Sequence, residues 1–190
     1  MNPWALRALA VLAGSGAGYA GWRLLAGWTS GETYTGSGDD MGGWGMKPGV
    51  VLPAGAEPWL DQLADRSGVR FTVTSGVRTA EEQARAMQAK RDRQLAGSTA
   101  ESDDLLALYA DDEAIKILLA NPYSAWATLI QAWMDRGRYL SRHLTGRAVD
   151  IRIKDLSTDQ RAALERATMD LGGRSLMESD HLHVDVPSEV

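Results

Sequence analysis

Residues 181–186 alternate strictly. His181, His183 and Asp185 fall on one parity, and Leu182, Val184 and Val186 on the other. Successive side chains of a strand point to opposite faces, so this stretch fits a sheet with one face packed on apolar core and the other flooring a polar cleft. Residues 148–153 repeat the device, with Val149 and Ile151 alternating against Asp150 and Arg152. If the two strands are neighbours, Asp150 stands near the histidines. His143 precedes the first strand by a loop containing Gly146, whose backbone freedom allows the chain to turn His143 back toward Asp150. The chain has three histidines and no cysteine, so every imidazole lies in these two segments and thiolate ligands are excluded. Two imidazole nitrogens and one carboxylate oxygen make a three-point zinc site with a fourth position open. A single histidine is more often a hydrogen-bonded structural residue than a ligand. It is the use of all of them at once that points to metal, and convergence of His143, Asp150 and His183 is geometrically reasonable on this spacing.

Elsewhere the hydrophobic period switches between helix and strand. Residues 58–66 put Trp59, Leu60 and Leu63 on one helical face, and residues 69–75 alternate as a strand through Val69, Phe71 and Val73. Thr79 and Glu82 form a capping box that opens a helix to about residue 95, and Ser157 with Gln160 opens another to about 171, where Gly172 and Gly173 stop it. Residues 103–119 read as one helix with an acidic start, ended by Asn121-Pro122, and residues 124–137 as a further helix. Trp126 and Trp133 on that helix are core candidates, and the acidic residues around Asp103 and Asp111 read as a solvated face. Helices and strands mix without regular βαβ alternation, which predicts an α+β fold.

At 190 residues the chain has room for one well-buried core and a lead-in. Its net charge of −5 leaves no basic footprint for nucleic acid. Residues 8–22 are an uncharged apolar run between Arg7 and Arg23. As a signal peptide the run has Ala20 as its small residue before cleavage. As a membrane anchor it approaches the ~20 apolar residues needed only if Arg23 snorkels. A buried or surface helix is disfavoured by the glycines. Trp4, Trp22, Trp28 and Trp44 suit a membrane interface. The expected organisation is a signal peptide or membrane anchor over 1–28, a flexible linker over 29–47 and a globular domain over 48–190, exported or anchored toward the periplasm or cell wall.

The same segments carry a family resemblance. Ser141-x-His143-x-x-Gly146-x-Ala148-x-Asp150 resembles the signature of the zinc D-Ala-D-Ala carboxypeptidases and related peptidoglycan peptidases, a group that shares its fold with the Hedgehog signalling domain. Asp180-His181-x-His183 followed by Val184, Asp185 and Val186 looks like the second half of that signature, and Thr74-Ser75-Gly76-Val77-Arg78-Thr79 with Gln83 resembles an upstream block. The resemblance implies a small, mostly antiparallel sheet with flanking helices. It implies zinc on His143, Asp150 and His183, with Asp180 as the general base. Arg78 would bind a substrate carboxylate or the developing oxyanion, His181 would steady the tetrahedral intermediate, and Ser141 and Gln83 would hydrogen-bond substrate. Glu178 competes with Asp180 for the base. The strand pattern alone points Asp180 away from His181, so a bend must bring it round. Asp185 reads as a supporting or surface carboxylate.

The chain departs from the pattern at Val77 and Leu182, where relatives carry aromatics, and in the long stretch between Gln83 and Ser141. The expectation is therefore a zinc metallopeptidase acting on peptidoglycan stem peptides, membrane-directed through its N-terminal segment. The competing expectations are a zinc-containing binding module of the same fold without turnover, and an anchored structural domain without metal.

Overall fold

The computed structural model describes residues 33–34, 43–100 and 103–187. The segment 1–28, expected to meet a membrane, lies outside the described residues, as does most of the 29–47 linker. Among the described residues no helix is long and apolar enough to cross a membrane.

The two alternating segments are neighbouring strands. The sheet comprises β1 (Thr33–Tyr34), β2 (Trp44–Met46), β3 (Phe71–Ser75), β4 (Ala148–Arg152), β5 (Arg174–Met177) and β6 (His181–Asp185). Their spatial order is β1-β2-β3-β4-β6-β5. β2 and β3 run parallel and the other pairings are antiparallel. Among the described residues six α-helices accompany it: α1 (Ala56–Ser67), α2 (Ala80–Leu95), α3 (Leu105–Leu108), α4 (Asp112–Leu119), α5 (Tyr123–Met134) and α6 (Thr158–Asp170). The class is α+β, as the mixed periods imply.

Two hydrophobic cores result. On one sheet face Phe71, Val73, Val149, Ile151, Leu182 and Val184 pack with Trp59, Leu60 and Leu63 of α1 and Leu164 and Ala167 of α6. Burying each large side chain there stabilises the fold by roughly 1.5–3 kcal/mol. The second core joins α2 through α5, with Met87, Ile115, Leu118, Trp126 and Ile130 at its centre, and it takes in Leu140 and Leu144. Leu144 directly follows His143. The first core thus anchors the strands bearing Asp150 and His183, while the second anchors the turn bearing His143.

Both capping boxes are formed, at Thr79 with Glu82 and at Ser157 with Gln160. The helix read over 103–119 is instead two, α3 and α4. Asp111 interrupts it because its carboxylate accepts from the Ala114 backbone as the cap of α4 and also takes a two-pronged contact from Arg138. The domain also begins upstream of residue 48. Trp44 lies in a sheet strand, buried, with its indole donating to Asp61 at 2.8 Å, so the C-terminal end of the expected linker belongs to the folded unit.

Candidate metal centre

The register of β4 on β6 sets Asp150 directly opposite His183, and β3 sets Ser75 opposite Asp150 from the other side. Directly opposed residues share a face, so Asp150 and His183 rise together from the polar side of the sheet. His143 arrives from a 3-10 turn, Arg142–Thr145, stopped by Gly146 in the left-handed region at φ 62°. Ser141 caps this turn, its hydroxyl accepting the His143 backbone N–H at 3.3 Å. Ser141, expected to bind substrate, therefore holds His143 in place.

The three donor atoms form a tight triangle. His143 Nε2 lies 3.0 Å from Asp150 Oδ1 and 3.2 Å from His183 Nδ1, and His183 Nδ1 lies 3.0 Å from the same Asp150 oxygen. Ligand atoms around a tetrahedral zinc stand roughly 3.3–3.5 Å apart, so the triangle needs to open by only a few tenths of an ångström. The far side of each imidazole is already committed. His143 Nδ1–H donates to the Gly76 carbonyl at 2.6 Å, and His183 Nε2–H donates to Asp185 at 3.2 Å. A carbonyl or carboxylate only accepts, so these contacts fix the tautomers and turn both remaining lone pairs inward, where a cation is needed. His143, Asp150 and His183 could hold a metal ion, two of them buried and the third partly so.

Gly76 is forced by packing. A Cβ there would stand 2.1 Å from the Val51 carbonyl oxygen, which accepts the Val77 N–H at 2.7 Å. The Arg78 backbone N–H then donates to the His143 carbonyl at 3.1 Å, so the 76–78 loop and the histidine turn brace each other.

Positive charge is built in around the triangle. Burial would raise the Asp150 pKa, but its contacts with His143 and His183 and the charge of His181 hold it well below the usual carboxylate range. Burial works against a charged His183, yet its contacts with Asp150 and Asp185 push it up to about 9. At His143 burial dominates and lowers the pKa. A metal ion held there would displace the proton from His183 Nδ1.

The other expected residues lie around this core in different roles. Arg78 does not stand free. It pairs with the second oxygen of Asp150, donates through Nε to Ser75 at 2.8 Å and reaches Gln83 through Nη1 at 3.4 Å. Gln83, expected to touch substrate, is fully buried between Arg78 and the Tyr109 hydroxyl, so it supports Arg78 instead. His181 sits cross-strand from Arg152 on β4, with Nε2 3.5 Å from the Asp150 oxygen of the triangle. The Asp180 carboxylate meets His181 Nδ1 at 2.6 Å, on the ring edge away from Asp150, and is half exposed. Burial opposes protonation of His181, while contacts with Asp180 and Glu178 raise it to about 9.

Ser75 enters the sequence expectations only as a member of the upstream block, and Tyr109 and Lys90, the last paired with Glu178, do not enter them at all. Lys90 carried the one readable signal, a lysine on the helical face that also holds Gln83 and Met87. Comparison with protein-family models, with curated proteins and with solved structures returns no match.

Proposed function

We propose that this protein is a zinc metallopeptidase of the Hedgehog/D-Ala-D-Ala carboxypeptidase fold, hydrolysing amide bonds in peptidoglycan stem peptides. The observation that carries the reading is the triangle of His143 Nε2, Asp150 Oδ1 and His183 Nδ1, edges 3.0–3.2 Å, with both imidazoles locked from behind. Two nitrogens and a carboxylate oxygen suit zinc better than the harder, all-oxygen-preferring magnesium or calcium.

A zinc ion held there supplies Lewis-acid activation of water at neutral pH. The residues around it do the rest. Asp180 receives the proton taken from the attacking water and returns it to the leaving amine, with His181 fixed against it at 2.6 Å. The His181 imidazole, 3.5 Å from the Asp150 oxygen, steadies negative charge as the carbonyl becomes tetrahedral. Arg78 uses three of its N–H donors on Ser75, Gln83 and Asp150, and of its five that leaves two for a substrate carboxylate or carbonyl oxygen. Its contact with Asp150 also orients that carboxylate.

Peptidoglycan lies outside the cytoplasmic membrane, and segment 1–28 suits an export signal or anchor toward it. The decisive experiment is mass spectrometry of muropeptides digested with and without chelator, which reports activity, metal need and the bond cut. Loss of one defined amide bond that stops on chelation is the expected result. A second reading, a zinc-containing module that binds wall peptides without cleaving them, draws on the engagement of the Asp180 carboxylate by His181. One zinc per chain with intact muropeptides would select it.

A further inference from the structure

Beneath the metal triangle lies an ion pair that the hydrolytic reading does not use. Lys90 of α2 and Glu178, just before β6, are in contact, with side chains only 8% and 7% exposed. Removing two charges from water costs more than packing two apolar side chains of similar size, so such a pair is poor value as core filling. Its neighbours suggest what it holds. The Glu178 oxygen that accepts from Lys90 also stands 3.4 Å from His181 Nε2. On the other edge of the ring, His181 Nδ1 is 2.6 Å from Asp180. The Glu178 backbone N–H donates to the His181 carbonyl at 2.9 Å, closing the turn that carries both. The imidazole is thus gripped at both nitrogens, and Lys90 fixes one of the two grips.

The same helix supports the opposite side of the site. Gln83, Met87 and Lys90 are buried at helical spacing on one face of α2, and Gln83 bears on Arg78 as Lys90 bears on Glu178. Through Arg78 and His181 respectively, these two supports end on the two oxygens of Asp150.

We infer that Lys90 and Glu178 are positioning residues that fix the His181 imidazole over the metal triangle, with α2 as their brace. The consequence for turnover rests on the peptidase reading; the orientation of the ring does not, and is measured separately.

The test uses the full chain loaded with zinc and labelled with 15N-histidine, which with three histidines gives an assignable long-range 1H–15N spectrum. Lys90→Met, Glu178→Gln and the conservative Lys90→Arg are compared with the parent protein. The expected result for the first two is displacement of the His181 ring signals alone. Those of His143 and His183, and the zinc content, stay as in the parent, and Lys90→Arg moves back toward it. On a muropeptide substrate, kcat is expected to fall roughly 10–100-fold, as for loss of a group that orients a site residue, with little change in KM. Glu178→Gln, which keeps shape, supplies the answer if Lys90→Met does not fold. Unchanged His181 signals in a folded variant would overturn the inference, as would joint displacement of all three histidines with loss of zinc. A parent protein that cleaves nothing would overturn the peptidase reading and leave the spectral result to decide this one.

Discussion

Single atoms decide whether the triangle forms. His183→Ala removes one of three ligands, and a two-ligand site binds zinc weakly, so zinc content and turnover are expected to fall together when metal is measured by mass spectrometry. Asp185→Ala leaves all three ligands but frees the His183 ring, whose Nε2–H it accepts. Zinc affinity should then drop by roughly 10–100-fold in a competition titration with a chelator. Gly76→Ala tests the opposite side. The added carbon would meet the Val51 carbonyl oxygen at 2.1 Å, and the 76–78 loop must move, taking with it the carbonyl that orients His143. Both thermal stability and zinc affinity are expected to fall in that variant, whereas Asp185→Ala should affect affinity far more than the apo melting temperature.

At the level of elements, β6 has one job on each face. Leu182 and Val184 are fully buried in the sheet core while His181 and His183 face the site. Leu182→Ala should cost about 2–5 kcal/mol by urea denaturation, the range for a cavity left in a packed core. If it costs much less, the strand is not anchored as described. This two-sidedness is why the strand and its ligands were legible in sequence: a period of two assigns faces without knowledge of any partner. Capping boxes were legible for the same reason, since their contacts close within one turn. What stayed hidden depends on partners remote in the chain. Nothing near Arg78 announces that it will pair with Asp150, 72 residues on, and nothing near Lys90 announces Glu178, 88 residues on. The substrate role expected of Gln83 rests on the family resemblance alone, and its burial, a product of α2 packing, is invisible locally. β2 and β5 were missed because each is too short, at three and four residues, to establish a period.

At the scale of the whole molecule, protons and a metal ion would compete for the triangle of His143, Asp150 and His183. In the metal-free protein His181 and His183 are both raised to about 9 from an ordinary 6.5, against the pull of burial, by the carboxylates around them. A raised pKa contributes stability that is fully present below the unfolded value and is lost as pH climbs through the folded one. The chelated protein should therefore lose melting temperature between about pH 6.5 and 9. Zinc runs the other way, because it needs the unprotonated lone pair of His183. The gap in melting temperature between zinc-loaded and chelated protein is accordingly expected to widen across that interval in differential scanning calorimetry. A gap that narrows would mean that His183 is not a ligand.

The turn carrying His143 is rooted in the helical core through Leu144, while Asp150 and His183 are rooted in the sheet core through Val149, Ile151, Leu182 and Val184. A metal ion held by all three would tie the helical core to the sheet core. Slight parting of the two cores would then release it, so that on this reading occupancy and the closeness of the cores become one variable.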